Sequence, residues 1–219
     1  MLGVVTIGQT PRPDLERAFE AHAPGVPIEV RGALDGLDPS RIDALAAGPT
    51  RCPLLVRLAD GSTREIPLEA IHPLVEQRAR DVARLGAAVV VVACAGGFPD
   101  VACDVPVLLP GRILPAVVGA LTRDRRIGLV APIRSQVEAA RRKWRGDGFQ
   151  PVVTWASPSA PDEVEAACAT LGGSDVALVV LDCFGFDDAD ARAVEARTGK
   201  LVLAALSVTA RIAGALVRG

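Results

Sequence analysis

Tyrosine is absent from this 219-residue chain, and histidine and lysine occur only as His22, His72, Lys143 and Lys200. Two histidines are too few for a metal site built on several imidazoles. A Schiff-base enzyme would have to use Lys143 or Lys200, and both lie in polar, helix-like or turn-like sequence. His22 precedes Ala23-Pro24-Gly25 at a helix end, and His72 precedes Pro73. Neither stands where a strand-end catalytic base would, which argues against Cys–His and Ser–His arrangements. Neither G-x-G-x-x-G nor G-x-x-x-x-G-K-[ST] occurs, so no nucleotide cofactor is indicated. Among reactive side chains only cysteine is plentiful, with five residues.

Long apolar runs are also missing. The longest, Ala87–Ala95, is far too short to span a bilayer. Met1–Ile7 lacks a basic leader and runs directly into Gly8-Gln9-Thr10-Pro11, unlike a secretory signal. The expectation is a cytoplasmic protein with no membrane partner, whose cysteines are thiols rather than bridges. The formal charge of −2 gives no general attraction to nucleic acid. The basic run Arg141, Arg142, Lys143, Arg145 reads as the solvated end of a helix, where cations complement the dipole.

What is present is a globular composition, 50% hydrophobic and 23% charged, long enough for one large domain or two small ones. Short β-branched runs alternate with longer Ala/Arg/Glu-rich segments. The runs at 2–7, 87–93, 105–108, 127–130, 151–154, 177–181 and 201–203 are continuously apolar, as in parallel strands buried on both faces. Helices are predicted at 14–21, 68–85, 113–121, 135–146, 161–171, 188–198 and 208–216. This is an α/β pattern with parallel sheets flanked by helices. Residues 54–66, centred on Asp60-Gly61, read as a β-hairpin inserted at the edge of the first sheet.

The halves share a grammar. Val4–Thr10 is a strand followed by a polar turn, and Ile127–Pro132 repeats it. A later strand in each half ends close to a cysteine, Cys94 and Cys183. Two similar lobes are therefore expected, at 1–118 and 119–206, with 207–219 a helix returning to the first.

Ligands of open α/β sheets sit beyond the carboxyl ends of the strands. There, Cys94 begins Cys-Ala-Gly-Gly-Phe, whose Gly96 and Gly97 let backbone N–H groups converge on an anion. Cys183 lies in Asp-Cys-Phe-Gly-Phe, with Gly185 two residues on and a helix start close by. Thiols at matching positions of two lobes would face each other across a cleft. That geometry suits a 1,1-proton transfer, in which one thiolate removes a proton beside a carboxylate and the opposed thiol delivers one to the other face. The alternative is two small core residues after strands. Cys52, Cys103 and Cys168 fit that structural role, and their spacing makes no zinc set.

Arg12 and Arg112 are the anion-binding candidates of these loops, with Gln9 and Thr10 as further donors. Ser135 and Ser207 are either ligands or helix caps. Asp187, Asp188 and Asp190 look like a metal cluster but fit the acidic first turn of a helix.

The stretch Thr6-Ile7-Gly8-Gln9-Thr10-Pro11-Arg12-Pro13-Asp14 resembles the opening motif of the AroM family. Pro110–Pro115, Ile127–Pro132 and Leu181–Phe186 are similar to its later motifs, so the resemblance runs from Val4 to near Val217. The family in turn resembles the aspartate/glutamate racemases, hydantoin racemases, maleate isomerases and arylmalonate decarboxylases. The resemblance implies two pseudo-symmetric α/β lobes, a cleft with one or two thiols, and no cofactor. Cys94 and Cys183 match the two racemase thiols. Ala95-Gly96 stand where racemases usually carry Asn-Thr, and Asp182 and Phe184 replace the usual Gly and Thr about the second thiol. Asp182 beside a thiol would raise its pKa, or act as an orienter or base itself.

The sequence thus points to a cofactor-independent racemase or isomerase acting on a small carboxylate or amino-acid-like ligand. Cys94 and Cys183 would be the acid and base. Gln9, Thr10, Arg12, Gly96, Gly97, Arg112, Pro132, Ser135, Asp182, Gly185 and Ser207 would form the binding set, and a homo-oligomer is compatible with it. The alternatives are a one-thiol decarboxylase or cis–trans isomerase, and a binding protein without turnover.

Overall fold

The computed structural model describes residues 1–217. The chain divides into two compact units, one made of residues 1–94, 98–110 and the chain from Thr209, the other of residues 95–97 and 111–208.

The first unit carries a parallel four-stranded sheet of β1 (Leu2–Thr6), β2 (Ile28–Gly32), β5 (Val89–Ala93) and β6 (Val107–Leu108), in the order β2-β1-β5-β6. Its antiparallel hairpin strands are β3 (Pro53–Arg57) and β4 (Thr63–Pro67). Every residue of the central strands β1 and β5 is buried, which is why they appear as unbroken apolar runs. Helices α1 (Pro13–Glu20), α2 (Pro39–Ala46) and α3 (Leu68–Arg84) belong to this unit. In α3 the residues Leu68, Ile71, Val75, Ala79 and Val82 recur every three or four positions and form its buried stripe.

The second unit carries β7 (Arg126–Ala131), β8 (Gln150–Trp155), β9 (Leu178–Leu181) and β10 (Leu201–Ala204), again all parallel, in the order β8-β7-β9-β10. Its helices are α4 (Pro110–Leu121, from Gly111 onward), α5 (Val137–Gly146), α6 (Pro161–Gly172) and α7 (Asp188–Thr198). The last helix, α8 (Ala205–Val217), leaves β10 in this unit and continues in the first. In both sheets the opening strand has the second strand on one side and the third on the other, with the fourth beyond. The repeated grammar of the sequence is a repeated strand order. Among the described residues no helix is long and apolar enough to cross a membrane.

Three features depart from the sequence reading. The hairpin is not an addition to the first sheet: among the described residues β3 and β4 pair only with each other. It is attached through the loop after β1, where Gln9 donates its N–H to Arg57 O (2.9 Å) and accepts the Ala59 N–H at Oε1 (3.0 Å). Gly8 permits this approach, because a Cβ there would collide with the Arg57 backbone. The strand β2 and helix α2 were not among the predicted elements. The acidic run of the second half is a helix cap as predicted. Asp187 accepts from Ala189 N (2.7 Å) and Asp190 N (3.0 Å), and Asp190 accepts from Asp187 N (3.0 Å).

The loop after β1 is fixed by Asp35, which accepts Thr10 N–H (2.8 Å), Thr10 Oγ1–H (2.9 Å) and Gly32 N–H (2.7 Å). Arg78 in turn donates to Gly32 O (3.1 Å) and Asp35 O (2.7 Å). Replacing Asp35 with Ala strands two backbone donors, at a cost of about 2 kcal/mol, and Asp35→Asn, which keeps one acceptor, costs less. Urea denaturation midpoints of the two variants check both the size and the order.

Candidate functional site

Both candidate thiols follow the third strand of their sheet. Thr6 pairs with Ala93 in the first unit, and Cys94 is the next residue. In the second unit Val130 pairs with Leu181, and Cys183 lies two residues on. Cys94 is buried, while Cys183 is half-buried and rests on the apolar cluster of the second unit. Gly185 donates its backbone N–H to Cys183 Sγ (3.3 Å). A donor aimed at sulfur favours the charged form of the thiol.

The other thiols have packing roles. Cys168 is buried among Val130, Ala167 and Leu181, and that burial pushes its thiol up. Cys103 donates to Ala79 O (3.5 Å), and Cys52 packs against the first core. Among the described residues, no three His, Cys, Asp or Glu side chains cluster as a metal site.

In the first unit, the side chains of the opening motif are engaged with the protein itself. The Gln9 amide donates to Leu34 O (3.2 Å), and Thr10 is bound by Asp35. Arg12 is buried, and its guanidinium grips Asp14 through Nε (2.9 Å) and Nη2 (2.6 Å) while Nη1 donates to Thr6 Oγ1 (3.1 Å). Burial works against the Asp14 charge, but the Arg12 hydrogen bonds and charge outweigh it and hold the carboxyl below its usual range. Arg12 therefore already holds a carboxylate, its own neighbour's.

In the second unit, Gly96 is half-buried and Gly97 exposed. Gly111, in the first turn of α4, lies so close to Gly96 O that a Cβ would collide with it. Helix α4 starts at Pro110, three residues earlier than predicted, so Arg112 stands exposed in its first turn rather than in a loop. Pro132 is buried directly after β7. Ser135 and Ser207 are not the caps of α5 and α8: Ser135 is exposed within a 3-10 turn at Arg134–Gln136, and Ser207 is buried inside α8.

The sequence reading missed the most unusual surroundings, those of Asp182. The Asp182 Oδ2 accepts the indole N–H of Trp144 (3.1 Å). The Oδ1 is shut off from solvent and has no hydrogen-bond partner among the described residues. Burial pushes the carboxyl up, opposed in part by the nearby Lys143 charge and by the Trp144 bond. The sequence places Lys143 at a solvated helix end, but the structure largely buries its side chain. Its side chain is 15% exposed, its stem lies against Gly97, and its Nζ sits 4.4 Å from the Trp144 ring centre and 3.9 Å from Asp147 Oδ2. A signal existed in the sequence. Ala140 and Trp144 are four residues apart, which sets one face of α5 into the core and draws Lys143 along with it.

Residues 2–217 match the family model described as AroM protein. No curated protein matches the sequence. Among solved structures, allantoin racemase from Klebsiella pneumoniae has a TM-score of 0.65 at 17% identity, over 99% of this chain and 86% of that one. An unliganded arylmalonate decarboxylase has a TM-score of 0.63 at 16% identity, over 100% and 92%. Maleate isomerase Iso from Pseudomonas putida S16 has a TM-score of 0.61 at 15% identity, over 96% and 90%. Glutamate and aspartate racemases share the same architecture, so the fold is aspartate/glutamate racemase-like.

The burial of Asp182 has a defined pH signature. A carboxyl whose folded pKa lies above its unfolded value contributes stability in full below the unfolded pKa, and loses it as pH rises through the folded value. Asp182→Asn removes the titration and keeps an acceptor for Trp144. Thermal melts from pH 4 to pH 8 should show the variant's melting temperature minus the wild type's rising with pH; a difference that stays flat or falls contradicts the assignment.

Proposed function

The chain belongs to the AroM family, and from that premise we propose that it is a cofactor-independent racemase or isomerase moving a proton beside a small carboxylate through thiols. One observation carries the reading: a cysteine stands just past the third strand of each of two sheets with the same strand order. In each direction of the reaction one thiolate takes the proton from the carbon next to the carboxylate. The electron pair delocalises into the carboxylate as an enediolate-like species, and the other thiol supplies a proton to the opposite face. Cys94 and Cys183 are the proposed pair.

Backbone N–H groups of Gly96, Gly97 and Gly185, with the Arg112 guanidinium, are the proposed stabilisers of the charge that develops on the carboxylate oxygens. Gln9 and Thr10 serve by holding the loop after β1 in place, since their side chains are bound within the first unit. Arg12 takes a ligand carboxylate only in competition with Asp14. Pro132, Ser135 and Ser207 complete the proposed lining, and Asp182 enters through its effect on Cys183. A cytoplasmic setting, in which thiols stay reduced, belongs to this reading.

A second reading, a carboxylate-binding protein without turnover, is favoured by the replacement of the usual Asn-Thr and Gly/Thr neighbours of the thiols. Deuterium exchange separates the two. The protein is incubated in D2O with amino acids and small dicarboxylates that raise its melting temperature, and label at the carbon beside the carboxylate is followed by NMR. Catalysis predicts exchange that falls about a hundredfold or more in Cys94→Ser and in Cys183→Ser, the scale of one lost acid–base group. Thermal stabilisation with no exchange, untouched by either substitution, leaves the binding protein.

A further inference from the structure

Asp182 and Lys143 are two ionisable groups brought together inside the second unit, one residue away from a cysteine that the reaction would need ionised. The carboxyl is pinned on one side by the Trp144 N–H, and its other oxygen is buried and lacks a hydrogen-bond partner. Lys143 reaches the same place from the position before Trp144 in α5, with its stem on Gly97 and its ammonium against the Trp144 ring. A buried carboxyl oxygen left unbonded is costly unless the group has work that a satisfied one could not do.

We propose that Asp182, set between Trp144 and Lys143, is a positioning residue that governs the ionisation of Cys183. The inference rests on the reading of Cys183 as a reacting thiol. When Asp182 is neutral, Cys183 has the Gly185 N–H on its sulfur and the Lys143 charge beside the adjacent residue, and both favour the thiolate. When Asp182 is ionised, a like charge stands on the adjacent residue and offsets Lys143, so the thiol form gains. The carboxyl thereby acts as a brake that engages as pH rises. Burial pushes the Asp182 carboxyl up, which brings its titration closer to that of a thiol and lets the two couple.

Lys143 and Trp144 face Asp182 from α5, Asp147 Oδ2 lies 3.9 Å from Lys143 Nζ, and Cys183 adjoins Asp182 on its own loop. The cluster beneath Cys183 is apolar apart from Cys168, whose thiol is pushed up by burial. Asp187 and Asp190, further along the loop, are bound to backbone N–H groups of the α7 cap.

The test needs no substrate. The full-length protein, Asp182→Asn and Lys143→Met are alkylated with iodoacetamide from pH 5 to pH 10, and the Cys183 peptide is quantified by mass spectrometry against the peptides of the other four cysteines. The wild-type rate should climb with pH less steeply than a single titration. Asp182→Asn should restore a single steep titration, shifted to lower pH, with Cys183 alkylated about tenfold faster near neutrality, the equivalent of one pKa unit. Lys143→Met, which keeps the stem, should shift the profile to higher pH. A packing role alone would lower the melting temperatures and leave the Cys183 profiles superimposed. Superimposed profiles for wild type and Asp182→Asn, a shift of Asp182→Asn to higher pH, an unmoved Lys143→Met profile, or a Cys183 that fails to alkylate in all three proteins overturns the proposal. Exchange lost from every ligand with the profile shifts intact discards turnover and leaves the coupling; exchange present with unmoved profiles does the reverse.

Discussion

Parallel strands buried on both faces decide where polar chemistry stands in this protein. Every residue of β1 and β5 is buried, and so is every residue of β9. A charged side chain within such a strand would lose its hydration without a partner, at a cost of several kcal/mol. Polar groups are therefore displaced to the strand ends, where turns supply backbone donors. Thr6, the last residue of β1, marks the transition: it is fully buried, and its hydroxyl accepts from Arg12 beyond the strand. Gln9, Thr10, Cys94, Pro132, Asp182 and Cys183 all follow the same rule.

The two sheets repeat one strand order, but the chemistry at equivalent ends has diverged. The first thiol is followed by Ala-Gly-Gly, a segment without side-chain donors, where close backbone approach replaces them. The second is preceded by a carboxyl held by an indole and followed by a glycine N–H on its sulfur. A symmetric pair of bases would have no use for a titrating group on one member only. An unsymmetric pair tuned to different ionisation suits a reaction in which the two proton transfers differ, and it suits a one-thiol reaction as well.

Much of this was legible in the sequence because burial on both faces writes itself as unbroken apolar runs. Elements outside that rule escaped. Strand β2, Ile28-Glu29-Val30-Arg31-Gly32, lies at the sheet edge and alternates apolar with charged residues, so a search for continuous runs passes over it. Helix α2 carries a legible start, Asp38 as N-cap with Pro39 behind it, but its buried face is Ile42 alone. Cys94 and Cys183 stand out in the sequence because of their position after apolar runs, and the structure places each just past a strand. Asp35 and Trp144 do not, because their importance lies in the partners that folding brings from 25 and 38 residues away.

Lys143 was misread for a compositional reason, and the same composition explains its presence. Arginine supplies nearly all the cations of this chain, so a lysine between arginines looks like one more surface charge. The neighbouring arginines of α5 can project into water, but a guanidinium at position 143 would bring five N–H donors in a rigid plane into a site that leaves the side chain only 15% exposed. A single ammonium on a flexible stem fits against the Trp144 face and Gly97 and still places a positive charge beside Asp182. One of the chain's two lysines is thus placed where its difference from arginine matters, beside the buried carboxyl of Asp182 rather than on the Arg-rich surface.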